Sequence, residues 1–80
     1  MYKKIVLEKF EKGISCRLSD DQFEDVKREL ENTISILNKG IEEGNDYFDS
    51  YMQSYDRELS GMRSICSIIG IFLEVKKEKI

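Results

Sequence analysis

The 80-residue chain contains no histidine, no proline and no tryptophan, and its only cysteines are Cys16 and Cys66. Without histidine, it lacks the side chain that most often serves as a general base near neutral pH and as a zinc ligand. The two cysteines lie far apart and form no C-x-x-C pair, so we predict that both are small buried residues in a reducing cytoplasm. We therefore expect no catalytic residues, no metal site and no cofactor, and predict that the chain is not an enzyme.

Long apolar runs are absent as well. The most apolar stretch, residues 65–75, is far too short to cross about 30 Å of hydrocarbon. The N-terminus begins like a signal peptide, but its apolar run of three residues ends at Glu8. These features predict a cytoplasmic protein with no membrane partner. With 40% hydrophobic residues, 36% charged residues and a net charge of -3, the composition is typical of one globular domain spanning residues 1–80.

A heptad pattern runs through the C-terminal half of the chain. Its members follow one another at alternating steps of four and three: Phe48, Met52, Tyr55, Leu59, Met62, Cys66, Ile69 and Leu73. This spacing places them along one side of a single helix, as in a coiled coil, and another helix must cover that side. The lysines that follow Val75 suit the negative C-terminal end of a helix. The pattern predicts one long helix over residues 46–78.

A first helix is predicted over residues 19–43. Ser19 and Gln22 have the spacing of a capping box, in which each side chain satisfies a backbone N–H of the other residue. From there an apolar stripe continues at steps of three or four: Phe23, Val26, Leu30, Ile34, Leu37 and Ile41. Because a short polar turn joins the two predicted helices, we expect an antiparallel helical hairpin and a mainly α fold.

The apolar residues near the end of the second predicted helix exceed what the first helix can cover. They lie on nearly every side of it and include Ile65, Ile68, Ile71 and Phe72. A row of small residues on the side of the helix away from the heptad residues would let another helix approach closely: Ser60, Gly61, Ser64, Ser67 and Gly70. We therefore predict a homo-oligomer in which two hairpins assemble into a dimeric helical bundle.

The N-terminal residues 1–18 allow two interpretations. Apolar and polar residues alternate from Ile14 to Leu18, as in a half-buried strand. Residues 5–10 could supply a second strand, with Gly13 in a left-handed turn, which predicts a short β-ribbon. Alternatively, residues 3–12 form a short helix with Gly13 at its C-terminus.

The candidate binding residues belong to two groups in the second predicted helix. Three tyrosines spaced four residues apart form a row of rings that could stack on a partner, and the apolar end supplies the second group. The predicted partner-binding residues are Tyr47, Tyr51, Tyr55, Ile68, Ile71 and Phe72. Together with the composition rich in lysine, isoleucine and glutamate, they predict a small protein-binding regulator or inhibitor of bacterial or phage type. A helical oligomer that binds a small ligand or nucleotide is an alternative.

The segment from Ile14 to Phe23, followed by Val26, resembles the strand and first-helix start of ribbon-helix-helix DNA-binding regulators. In that family, paired strands from two chains insert alternate side chains into the major groove, and those of Ser15 and Arg17 would do so here. The resemblance implies a DNA-binding regulator as a further alternative. The net negative charge of the chain favours a protein partner over nucleic acid.

Overall fold

The computed structural model describes residues 2–44 and 50–79, and for Tyr2 and Tyr51 the backbone alone. Its elements follow the order β1 (Tyr2–Lys12), α1 (Asp20–Glu42), α2 (Ser50–Ile68) and β2 (Ile71–Lys79). The first and last elements pair as a two-stranded antiparallel sheet, and the helices pack against it. This is an α+β fold. The prediction of a mainly α fold built from a helical hairpin is wrong, because the first and last elements are strands, whereas assembly of two chains stays a prediction.

The ends of α1 are stabilised by neighbouring residues. At its start the capping box is present, since Ser19 Oγ accepts a hydrogen bond from the Gln22 N–H at 3.2 Å and Gln22 Oε1 accepts one from the Ser19 N–H at 2.9 Å. At its end, Gly44 adopts a left-handed φ of 80° and donates its N–H to the carbonyl of Ile41. Because these end signals are local, α1 coincides closely with the first predicted helix.

The predicted helix over residues 46–78 is wrong beyond Ile68. Gly70 adopts a φ of 86°, a left-handed conformation that ends the helix. After Gly70 the period changes from that of a helix to that of a strand, because Ile71, Leu73 and Val75 are more buried than the residues between them. Leu73 fits both periods, so the heptad pattern continues across the end of α2 without an interruption in sequence.

Within α2, the heptad residues do form the buried side of the helix. Met52, Leu59 and Cys66 are almost fully buried, and Tyr55 and Met62 are half-buried beside them. The first heptad residue, Phe48, lies outside the described residues. This side of α2 packs against α1 and β2 of the same chain, which is how the helix covers its apolar surface.

Of the ribbon predicted within residues 1–18, the strand at residues 5–10 is confirmed as part of β1, but its partner strand over residues 14–18 and the alternative short helix over residues 3–12 are wrong. Residues 14 and 15 form a turn, and residues 16–19 have no regular secondary structure. Gly13 does not adopt the left-handed turn conformation; instead its N–H donates to the carbonyl of Gly70 at 2.7 Å. A Cβ at Gly13 would lie 2.8 Å from that oxygen, so glycine permits the close approach of two chain segments.

The register of the sheet explains the uneven apolar pattern of β1. Leu7 lies opposite Val75 and Phe10 lies opposite Leu73, with a register shift between Leu7 and Lys9. One extra residue in β1 therefore lets Leu7 and Phe10 share the face that packs on the helices, although three positions separate them. The alternation is kept in β2 from Ile71 to Lys77 but is interrupted in β1, so periodicity alone does not predict β1 as one strand.

The hydrophobic core lies between the sheet and the two helices. Its most buried members come from β1 and both helices: Ile5, Leu30, Ile34, Leu37, Met52 and Leu59. The helices run in opposite directions, since Thr33 of α1 lies within 3.4 Å of the Glu58 carboxylate whereas Leu30 lies near Met62. Each strand lies over its own helix, with α1 packed on β1 and α2 packed on β2. An ion pair of 2.7 Å between Lys77 and Asp56 joins β2 to α2.

Asn38 of α1 closes the outer edge of β1. Its Oδ1 accepts from the Ile5 N–H at 2.7 Å, and its Nδ2 donates to the Ile5 carbonyl at 2.9 Å. The side-chain amide thus makes the two hydrogen bonds that a neighbouring strand would make. Because an unpaired strand edge is a template for association with other chains, Asn38 both fixes β1 on α1 and blocks that edge.

Replacing Leu59 by alanine tests the packing of α2. Leu59 is 1% exposed at the centre of the core. Truncating a fully buried leucine leaves a cavity and costs about 2–5 kcal/mol, a large part of the stability of a domain this small. We expect Leu59→Ala to lower the urea midpoint strongly, whereas Ser60→Ala, at an exposed neighbouring position, should leave it nearly unchanged. Equal midpoints for the two variants would contradict the observed packing.

Replacing Asn38 by alanine tests the closure of the β1 edge. The change removes both hydrogen bonds to Ile5, and leaving such partly buried backbone groups without partners costs about 1–3 kcal/mol. We expect a lower free energy of unfolding and faster amide exchange at Ile5, measured by hydrogen-exchange NMR. The control is Asn32→Ala, an exposed asparagine on the same helix. Unchanged exchange at Ile5 would show that Asn38 does not protect this edge.

Candidate functional site

An apolar groove lies between the two helices. Its volume is about 310 Å³, and its lining residues all belong to α1 or α2. Leu30 and Cys66 are almost fully buried and form its floor, while Val26 and Met62 are half-buried. Ile65 remains 57% exposed at its side. Because apolar side chains of both helices meet in this open groove and Ile65 extends its surface, the groove is the candidate functional site.

The groove follows from the width of the apolar stripes on the two helices. Positions 26 and 30 of α1 and positions 62 and 66 of α2 continue the stripes that form the core. Ile65 precedes Cys66 by one position, which widens the stripe of α2 beyond the side that the sheet and α1 cover. The sheet covers one side of this helix pair. The groove lies where the sheet does not cover the helices, so only helix residues line it.

Charged residues border the groove on the α1 side. Asp25 and Glu29 line it and are exposed. Arg28 forms an ion pair with Asp25, and the hydrogen bond and charge of that carboxylate raise the pKa of the Arg28 guanidinium above its usual value. Asp25 is therefore partly neutralised by its neighbour, and Glu29 supplies a negative charge beside the apolar lining. This border favours a partner with basic side chains next to an apolar surface.

Cys66 is a protected thiol at the floor of the groove. It is 1% exposed, and burial raises its pKa above the ordinary value of 9.0, with a smaller contribution from nearby Cys16. A raised pKa lowers the fraction of reactive thiolate at neutral pH. Both cysteines are free thiols. Cys66 therefore supplies apolar packing and has the properties of an inert, structural cysteine.

The structure distributes the predicted partner-binding residues over different surroundings. Tyr47 lies outside the described residues, as does the side chain of Tyr51, and Tyr55 is half-buried against the core. Ile71 is only 4% exposed and belongs to the interior of the fold. The structure thus places Tyr55 and Ile71 in or beside the core rather than on a binding surface.

Ile68 and Phe72 are exposed, as predicted for surface residues, but neither lines the groove between the helices. Ile68 is 82% exposed at the end of α2. Phe72 lies on the outer face of the sheet, where Lys9 Nζ is 5.5 Å from the centre of its ring. The sequence predicts Val26 and Met62 only as members of apolar stripes. The one sequence signal for the groove itself is Ile65, which makes the apolar stripe of α2 wider.

The residues that carry the resemblance to ribbon-helix-helix regulators do not form a ribbon. Ser15 is in a turn and Arg17 is in the connection that leads to α1, and both are exposed. The strand that would carry them into a DNA groove is absent from residues 14–18. In addition, α1 continues without interruption from Asp20 to Glu42, where the family pattern requires a turn between two helices.

Two other features are absent from the described parts of the chain, a cluster of metal ligands and a membrane-spanning helix. Among residues 2–44 and 50–79, no three carboxylate or thiol side chains come together as ligands of a metal ion would. Neither of the two described helices combines the length and the apolar character that crossing a bilayer requires.

Comparison with known proteins finds no match for this chain among protein families, curated proteins or solved structures.

Thiol labelling tests the protection of Cys66. In the folded protein we expect a maleimide to label Cys16, which is half-buried, much faster than Cys66, which is 1% exposed and has a raised pKa. Mass spectrometry of proteolytic fragments measures each rate. In denaturant both thiols should react at similar rates, which is the control for intrinsic reactivity. Equal labelling of the two cysteines in the native protein would contradict the burial of Cys66.

Proposed function

We propose that this chain is a small, non-enzymatic regulatory module that binds a helix of another protein in the groove between α1 and α2. The observation that supports this most directly is the 57% exposure of Ile65 beside a groove whose floor is formed by Leu30 and Cys66. Covering this surface removes apolar area from water, which is the main driving force of protein association. Binding would cover the helix of the partner protein, and this would regulate the partner by making that helix inaccessible.

A helix is the occupant that fits the shape of the groove. Two helices that lie side by side form a long furrow, and a third helix packs into such a furrow by inserting side chains from one of its faces. Residues at positions i, i+4 and i+7 of the partner would meet Val26, Met62 and Ile65. Because Asp25 and Glu29 border the groove, the partner helix should carry basic residues beside its apolar stripe.

We also propose that the module acts in the cytoplasm. Both cysteines are free thiols, which is the state that persists in a reducing compartment.

A synthetic helical peptide tests this function. The probe is an amphipathic helix of about 18 residues, long enough to be partly helical alone, with leucines along one stripe and lysines beside it. We expect saturable binding to the wild-type protein, followed by fluorescence anisotropy, with NMR shift changes at Val26, Met62 and Ile65. Binding should weaken as salt is raised, because the flanking charges are exposed. A matched peptide with glutamates in place of the lysines should bind more weakly.

A pair of isoleucine variants locates the site. Ile65→Asp should weaken binding by about 10–100-fold, because burying an isoleucine side chain contributes about 1.5–3 kcal/mol. Ile14→Asp is the matched control, since Ile14 is fully exposed outside the groove and its loss should change neither folding nor binding. If both variants bind the peptide as tightly as the wild type, or if the lysine peptide does not bind, the proposed function is wrong.

A further inference from the structure

The outer edge of β2 presents unpaired backbone groups. The sheet has two strands, so each has one edge that β-pairing does not cover. The Ile5 N–H donates to Asn38 and the Ile5 carbonyl accepts from it, so both groups point away from β2. Ile5 lies opposite Lys77, and these two residues are therefore a pair that exchanges no hydrogen bonds across the sheet. Backbone groups that point to the neighbouring strand alternate with groups that point away from it, and the Gly70 carbonyl points inward, where it accepts from the Gly13 N–H at the end of β1. The even-numbered residues of β2 thus pair with β1. The odd-numbered Leu73 and Val75 therefore direct their backbone N–H and carbonyl groups toward the open edge.

The two edges of the sheet differ in how they are protected. On the β1 side, Asn38 occupies the position of a neighbouring strand at Ile5. On the β2 side, no described residue makes a hydrogen bond to the outward backbone groups of Leu73 or Val75, and β2 has neither a proline nor a register shift of its own. Of the two edges, that of β2 is the one open to pairing at its centre.

A second groove of about 640 Å³ lies beside this open edge, over α2. Its lining includes Leu73 from β2 and Ile68 and Arg63 from α2, and the rest of its floor is three serines: Ser60, Ser64 and Ser67. Neighbouring helices pack about 8–10 Å apart, whereas neighbouring strands are about 4.8 Å apart, so the layer of two helices is about twice as wide as the two-stranded sheet. α2 therefore extends past β2 and provides a floor on which one further strand can lie.

We propose that the open edge of β2 binds an extended segment of another protein, which adds to the sheet as a third strand above α2. Main-chain hydrogen bonds to Leu73 and Val75 would supply affinity, as in other complexes formed by strand addition. Every second side chain of the added strand would point down to the serines and Ile68, where it would cover an isoleucine that is 82% exposed. This site is separate from the groove between the helices and does not depend on the function proposed for it.

The same geometry excludes a second copy of β2 as the added strand. A copy of β2 placed at strand spacing would bring its own α2 into the space beneath the joined strands, which α2 of the first copy already occupies. Pairing of β2 with β1 of another copy is opposed by Asn38 at Ile5. The occupant is therefore a segment with no helix packed beneath it.

The side chains on the outer face of β2 define the chemistry of this segment. Acidic Glu74 is followed by basic Lys76 along that face. On the side toward β1, Glu74 lies opposite a residue of opposite charge, Lys9. Cross-strand pairs of opposite charge stabilise a sheet, whereas like charges opposed directly destabilise it. The partner segment should carry a basic residue opposite Glu74 and an acidic residue opposite Lys76, alternating with apolar or small residues that face α2.

A designed strand peptide tests the proposal. The probe is as long as β2, has valine or threonine at alternate positions, and carries lysine opposite Glu74 and glutamate opposite Lys76 in an antiparallel register. Amide hydrogen exchange measured by NMR is the readout. At a peptide concentration about ten times the Kd, mass action should slow exchange about tenfold at Leu73 and Val75. A peptide with the two charges exchanged should bind more weakly and slow exchange at Leu73 and Val75 less.

A variant of the groove floor provides the control on position. Ser64→Phe fills the groove beside the edge and should abolish the protection of Leu73 and Val75, whereas Ser54→Phe, an exposed serine of α2 outside the groove, should leave it intact. Absence of protection in the wild type, or equal protection in both variants, overturns the proposal. Protection of the same amides without peptide that grows with protein concentration also overturns it, because a second copy would then be the occupant.

Discussion

The antiparallel pairing of β1 with β2 is the interaction on which the rest of the structure depends. It joins the two ends of the chain, and at its inner end the Gly13 N–H donates to the Gly70 carbonyl at 2.7 Å, which brings the exits of β1 and α2 together. A two-stranded sheet is only marginally stable alone, so this pairing requires that its apolar face, formed by Ile5, Leu7, Phe10, Leu73 and Val75, packs on the helices. The helices in turn need the sheet to cover their buried side. Sheet and helix layer are therefore stable only together.

The unequal widths of these two layers create the surfaces that remain available for binding. Two helices side by side cover more area than two strands, so the sheet cannot cover all of the apolar surface that the helices present. One part of the remainder is the groove beside Ile65, where only helix residues form the lining. The other part lies beside the edge of β2, where Ile68 is exposed. The first offers apolar side chains and the second offers backbone hydrogen bonds, so they suit a helix and an extended strand respectively.

Control of unwanted association is visible in the same elements. Asn38 replaces a neighbouring strand at the β1 edge with a side-chain amide, while alternating charges on the outer face of the sheet oppose stacking of flat apolar surfaces. Charge on the outer face is also seen at Phe72. The Lys9 ammonium group lies near the face of this exposed ring, which would otherwise be a purely apolar surface. Only surfaces without such protection remain as candidates for specific recognition.

Local sequence is enough to predict α1, because each end of this helix is set by neighbouring residues: the capping box at Ser19 and Gln22, and Gly44 at the other end. It also determined the buried side of α2 through the heptad of Met52, Leu59 and Cys66. That the residues after Gly70 form a strand depends on tertiary contacts, since Leu73 fits both a heptad and an alternating pattern and the choice depends on a partner strand about 60 positions away in the chain. The positions of the two proposed binding surfaces depend on that same pairing. Periodicity shows which residues are buried, but which element covers them, and which surface is left open, is decided by contacts between distant parts of the chain.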